Sequence, residues 1–151
     1  YVRKNNALNN IIEDVIYSAT DCAGINTLGG GIDNIIGYNT IRRTGRSGIT
    51  PREMANADAT KLVARIHHNH ISEFMLQDWD GGAIYTATQD AKFVRVDHNI
   101  IHDAEGHSVS GIYPDFSKNW IIDHNLIWNV DWAIHLEGAH ESGVINAIVY
   151  N

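Results

Sequence analysis

Residues 66–71 read IHHNHI, residues 96–101 read VDHNII and residues 122–127 read IDHNLI. All three spell one pattern: an apolar residue, two variable residues, Asn, one variable residue, an apolar residue. The pattern recurs as VRKNNA at 2–7 and IGYNTI at 36–41, and its first half closes the chain as IVYN at 148–151. Its asparagines are Asn5, Asn39, Asn69, Asn99, Asn125 and Asn151, spaced 34, 30, 30, 26 and 26 residues apart. A second beat lies between them, a small residue or Trp-Ala before isoleucine, at Ile25, Ile49, Ile84, Ile112 and Ile134. Self-similarity at such a period signals stacked repeats. β-Branched residues and glycine-bearing turns argue for several short strands per repeat, and helical heptads are absent. The expected architecture is all-β, a solenoid of about five coils with equivalent residues ~4.8 Å apart in parallel sheets. Asparagine repeated at one bend then forms a ladder, each side-chain amide bonding the next and satisfying polar groups inside the stack. A β-sandwich with coincidental asparagines is the alternative.

The 151 residues suffice for one domain, 1–151, with a real core. With 44% hydrophobic and 19% charged residues the composition is globular, not disordered. Eleven basic against 18 acidic residues give a net charge of −7 and no basic stripe, which argues against a nucleic-acid partner. No apolar run reaches the ~18 residues of a membrane span, so no membrane partner is expected. Cys22 is the one cysteine and makes no internal disulfide. Residues 50–65 lengthen one coil and predict an inserted loop or short helix outside the stack. The chain starts inside a coil and stops at a ladder asparagine. This reads as an uncapped fragment of a longer chain, or as coil ends covered by self-association.

Strands alternate inward and outward. With the beat isoleucines inward, one outer column is Asn26, Thr50, Tyr85, Tyr113 and His135; the next is Leu28, Arg52, Ala87, Asp115 and Glu137. Asp115 and Glu137 thus fall on adjacent coils. Pro114 donates no hydrogen bond, so the ladder is expected to bend or end there and open a cleft at Asp115. Two carboxylates at coil spacing suit acid–base chemistry, because like charges leave one protonated and one ionised. Side-chain splay brings them near the ~5–5.5 Å of retaining glycosidases. The alternative is a solvated acidic pair or a cation site. Asp80, beside Asp78 on the turn before the Tyr85 strand, is the reserve acid.

Flat rings suit the C–H faces of sugars, and Trp79, Tyr85, Tyr113, Trp120, Trp128 and Trp132 fall in the coils bearing the acids. Trp120 reads as structural. Candidate substrate-binding residues are Trp79, Tyr85, Tyr113, His135, Trp132 and His107, with His135 best placed for a proton relay. His102 and His140 are also placed near the cleft. His68, His98 and His124 each precede a ladder asparagine and stack at one bend, as a solvated row or, less favoured, a shared zinc site. His67, Asp97 and Asp123 read as solvated surface beside them.

The Asn-x-Ile ladder followed by Gly-Ile covers nearly the whole chain and resembles the right-handed parallel β-helix of the pectate-lyase-like superfamily of carbohydrate-active proteins. Right-handedness is also the usual crossover rule. DGGAIYT at 80–86 and GIYPD at 111–115 resemble motifs common in β-helix glycoside hydrolases. The Asp115–Glu137 separation resembles that of nucleophile and acid/base in the β-helix β-xylosidase family. The resemblance implies a glycoside hydrolase acting on a polysaccharide or oligosaccharide, with Asp115 as nucleophile and Glu137 as acid/base. It also implies an extracellular or periplasmic setting and no cofactor. The sandwich domain that helps build the site in that family has no counterpart here. One rival is a polysaccharide lyase or epimerase, with calcium bridging Asp115 and Glu137; an acidic cleft and the dispersal of Arg52, Lys92 and Lys118 count against it. The other is a non-catalytic adhesin, tailspike or assembly module.

Overall fold

The structure is a computed structural model and describes residues 2–17, 22–27, 31–52, 54–55, 64–87, 90–138 and 148–150. Every regular element among them is a strand. Each turn of chain lays one strand on each of three faces. The first face stacks Asn6–Leu8, Ile35–Gly37, Arg65–His67, Asp90–Asp97, Lys118–Asp123 and Ile148–Tyr150. The second stacks Ile11–Val15, Thr40–Thr44, His70–Phe74, Ile100–Ala104 and Leu126–Trp128. The third stacks Ala23–Asn26, Ser47–Thr50, Gly81–Ala87, Val109–Asp115 and Trp132–Ile134. Pairing on all three faces is parallel. The fold is an all-parallel β-solenoid.

The core is a triangular column of β-branched side chains. Ile36, Ile66, Val96 and Ile122 come from the first face, Ile41, Ile71 and Ile101 from the second, and Ile49, Ile84 and Ile112 from the third. Trp120 joins them, 2% exposed, as its structural reading expects. Burying each such side chain contributes about 1.5–3 kcal/mol. The expectation of about five coils is corrected here. The closed core spans about three turns, Ile36 to Ile122, whereas Ala7, Ile12 and Ile25 at one end and Ile127 and Ile134 at the other are only partly buried. The isoleucine beat stacks as expected: Ile25 pairs Ile49, Ile49 pairs Ile84, Ile84 pairs Ile112 and Ile112 pairs Ile134. The glycine before it is set by crowding. A Cβ on Gly111 would lie 2.6 Å from Ile127 Cγ2 and 2.7 Å from the Ala133 carbonyl oxygen.

The asparagine ladder is continuous. The Nδ2 of Asn39, Asn69 and Asn99 donates to the Oδ1 of Asn69, Asn99 and Asn125, each at 2.9 Å. The amides of Asn39, Asn69, Asn99 and Asn125 also donate to carbonyls of the preceding coil, those of Ala7, Ile36, Ile66 and Val96 respectively. The first rung is Asn10, whose Nδ2 reaches Asn39 Oδ1 at 2.8 Å. Asn5, expected to be that rung, instead gives its backbone N–H to Asn34 Oδ1, 2.9 Å away, one bend earlier. The residues before the rungs, Asn9, Tyr38, His68, His98 and His124, all have φ between 52° and 58°. One left-handed residue turns the chain and aims the next side chain inward.

The insertion at 50–65 begins with Thr50 still in the third-face strand. Its Met54–Ala55 forms a strand paired with Gly31–Ile32, in a small sheet completed by Val2–Arg3. Residues 53 and 56–63, with Leu62, lie outside the described residues, as do Leu28, His140 and Asn151. Pro114 does not end its strand. Pairing with the preceding coil continues through Thr86–Pro114 and Ala87–Asp115. Pairing with the following coil stops at Ile112–Ile134. Alternate residues send their N–H groups to the same edge, so the missing Pro114 donor faces the side where that ladder has ended. The Phe116 N–H then reaches the Glu137 carbonyl at 3.0 Å.

Candidate functional site

The third face carries the two outer columns expected of it. Tyr85 pairs Tyr113 and Ala87 pairs Asp115, while the Ile112–Ile134 register sets His135 beside Tyr113. The rings pack as a row: Tyr85 and Tyr113 centroids are 5.4 Å apart, and Tyr113 stacks on His135 at 4.2 Å and 14°. Trp132 closes the row, 5.0 Å from His135. Tyr113 is only 3% exposed although it leaves the core. The acids are gripped diagonally. The Tyr85 hydroxyl donates to Asp115 Oδ2 at 3.1 Å, and the Tyr113 hydroxyl makes a very short bond to Glu137 Oε2. His135 Nε2 lies 3.9 Å from the same Glu137 oxygen.

Asp115 is electrostatically perturbed. Burial raises the Asp115 carboxyl above its ordinary range; the Tyr85 hydrogen bond opposes this, while the Glu137 and Asp80 charges add to it. Its Oδ1 is buried without a hydrogen-bond partner among the described residues. Burial, then the charge of Asp115, pushes the Tyr85 hydroxyl up to about 12. Burial and the bond to Glu137 raise Tyr113 as well. Both tyrosines therefore stay protonated as donors.

Among the other expected residues, Asp80 occupies a left-handed bend, φ 56°, within electrostatic reach of Asp115. Trp79, 62% exposed, stacks on His107 at 6.1 Å and 7°. Trp128 and His102 do not belong to this cluster: they stack on each other on the second face, at 4.3 Å. Arg46 was missed. Its guanidinium lies 5.2 Å from the Tyr85 ring centroid, with Nε 3.0 Å from Asp78 Oδ2, and brings a cation to the edge of the row. Its place in the bend before the Ser47–Thr50 strand is the signal that could have found it.

The first face overturns the reading of His67, Asp97 and Asp123 as solvated surface. They are 8%, 0% and 1% exposed. Arg65 covers Asp97 through a two-toothed ion pair, with Nε 2.6 Å from Oδ1, and Arg95 covers Asp123 in the same way. His98 and His124 clamp the other side, each Nδ1 lying 2.6 Å from the buried carboxylate. Burial alone would raise the Asp97 carboxyl; the Arg65 and His98 bonds outweigh it and hold it below the ordinary range. A carboxyl depressed in the folded state contributes stability above its unfolded pKa of ~3.9, lost as pH falls toward the folded value. Acid melts should therefore steepen below about pH 4, and Asp97→Asn should flatten that slope. At neutral pH Asp97→Asn should remove roughly 1.5–3 kcal/mol, because it strands a partly buried guanidinium; equal melts at pH 3 and 7 in the wild type would contradict this.

The histidine row stacks as expected: His68 on His98 and His98 on His124, each 5.0 Å apart and within 4° of parallel. Parallel rings at that spacing keep their nitrogens too far apart for one zinc ion, whose ligands lie ~2.0–2.1 Å from it. Compared with known proteins, the chain matches no family model, no curated protein and no solved structure.

Proposed function

We propose that this β-solenoid is a carbohydrate-active protein and that it hydrolyses glycosidic bonds with the Asp115–Glu137 pair. The observation that carries the reading is a pair of acids on adjacent coils in unlike surroundings, each gripped by a tyrosine hydroxyl. Asp115 is partly buried and raised in pKa, and its Oδ1 has no hydrogen-bond partner among the described residues; Glu137 is held by a tyrosine hydroxyl beside a histidine. Two carboxyls in unlike environments are the requirement of glycoside hydrolysis. The raised group supports a reversal of the roles implied by the family spacing. Asp115 protonates the leaving oxygen, and Glu137 attacks the anomeric carbon or activates water. Tyr85, Tyr113, His135 and Trp132 supply ring surface and polar edges for the sugar. A polysaccharide substrate is most often met outside the cell, which supports an extracellular or periplasmic setting.

A second reading, sugar binding without turnover, is favoured by one observation. Asp115 Oδ1 is closed to solvent, so a substrate must first move its cover. The test is incubation with aryl glycosides and with plant and microbial polysaccharides, following reducing ends and product structure. New reducing ends with saturated products support the hydrolase. Unsaturated products would transfer the site to a lyase, binding without turnover would support the module, and neither binding nor turnover would remove the sugar reading.

A further inference from the structure

The second face holds a histidine pair unlike the stacked row. His70 Nε2 and His102 Nε2 point at each other, 2.7 Å apart, from adjacent coils. His102 is fixed from behind. Its Nδ1 lies 2.8 Å from Asp103 Oδ2, and Asp103 Oδ1 accepts a 2.7 Å bond from Asn129 Nδ2. The Asp103 carboxylate is thus held from both sides, by His102 and by Asn129. The His102 Nδ1–H donates to it, which leaves the Nε2 lone pair facing His70. The Trp128 ring, stacked on His102 at 4.3 Å and 11°, fixes the imidazole plane.

We propose that His70 and His102 form a surface site for a divalent transition metal. A carboxylate behind a histidine, a fixed tautomer and a fixed ring plane are the supports that metal-binding imidazoles receive. Two nitrogens of a tetrahedral zinc site, each ~2.0–2.1 Å from the ion, lie roughly 3.4 Å apart. The pair reaches that separation by a small rotation of the exposed His70 side chain. Imidazole donors select Cu²⁺, Ni²⁺ and Zn²⁺ over Mg²⁺ and Ca²⁺, which prefer oxygen. No group of three or more His, Cys, Asp or Glu converges among the described residues, so water or an incoming ligand completes the coordination. The site does not depend on the sugar reading, because it lies on a different face.

The test is titration of the whole chain with CuCl2, NiCl2 and ZnCl2 in a non-chelating buffer, by calorimetry and tryptophan fluorescence. Saturable binding of one ion is expected, tightest for copper as the usual metal order dictates, with MgCl2 and CaCl2 silent. His70→Ala and His102→Ala should each weaken binding at least tenfold, and Asp103→Asn by ~10-fold or more. His98→Ala, in the parallel row, should bind as the wild type does. Copper should quench Trp128, so Trp128→Phe should lose that quenching and keep the calorimetric signal. Circular dichroism checks folding, and exposed His70 is the variant least able to disturb it. The proposal is overturned by absent saturable binding, by unchanged affinity in His70→Ala, or by an equal loss in His98→Ala.

Discussion

Asp115→Asn is expected to slow cleavage of an unactivated glycoside by roughly 10²–10⁴-fold, the usual worth of a positioned proton donor, while the protein stays folded. The side chain is partly exposed and its only described partner is the Tyr85 hydroxyl, which an amide oxygen can also accept. Aryl glycosides with good leaving groups need little protonation, so the same variant should be much less impaired on them. Glu137→Gln should lose both activities, because neither attack on the anomeric carbon nor water activation survives. This contrast between substrates assigns the roles. If the two variants exchange behaviour, Asp115 is the nucleophile, and if both keep full activity the pair is not the catalyst. A proton donor fails as pH rises through its folded pKa. Tyr85→Phe removes the bond that favours the ionised carboxyl, and should move the alkaline limb of the pH–rate profile upward.

Asn69→Ala is expected to produce the largest loss of stability. It removes the acceptor of the Asn39 N–H and Nδ2, a donor to Asn99 Oδ1 and the donor to the Ile36 carbonyl, all buried. A buried polar group left unpaired costs about 1–3 kcal/mol, so a total of roughly 3–6 kcal/mol follows. At ~2–4 °C per kcal/mol for a domain of this size, melting should fall by on the order of 10–20 °C. Asn5→Ala is the control. Among the described residues only its backbone is engaged at that bend, and a change within ~0.5 kcal/mol is expected. Equal melting of the two variants would mean that the ladder does not hold the coils together.

The period of the stack, the rungs from Asn39 to Asn125 and the isoleucine beat were legible because each recurs in every coil. The first rung was not. VRKNNA at 2–7 and the overlapping ALNNII at 7–12 both satisfy the pattern. Only the pairing of Asn6–Leu8 with Ile35–Gly37 chooses Asn10. Repetition sets Asp97 and Asp123 in one column beside the histidine bend, and a bend implied solvent. The guanidinium groups that bury them come from the neighbouring coil, beyond what one strand can reveal. The outer columns at Tyr85, Tyr113, Asp115 and His135 were readable for the same periodic reason, whereas the bonds between them were not, since they run across the columns. Trp128 was misplaced because sharing a coil with the acids does not mean sharing a face.

Those cross-column bonds obey one rule. Tyr85 to Asp115, Tyr113 to Glu137, Arg65 to Asp97, Arg95 to Asp123 and His70 to His102 all join a residue to the position two beyond its neighbour on the next coil. The solenoid surface is therefore a lattice with a fixed knight's move, on which functional pairs are transposable. Thr50 and Ala87 occupy the square before Tyr85 and Asp115. Writing tyrosine and aspartate there would repeat the Tyr85–Asp115 pairing one coil along, provided the stack makes room for a ring at Thr50, which is 3% exposed.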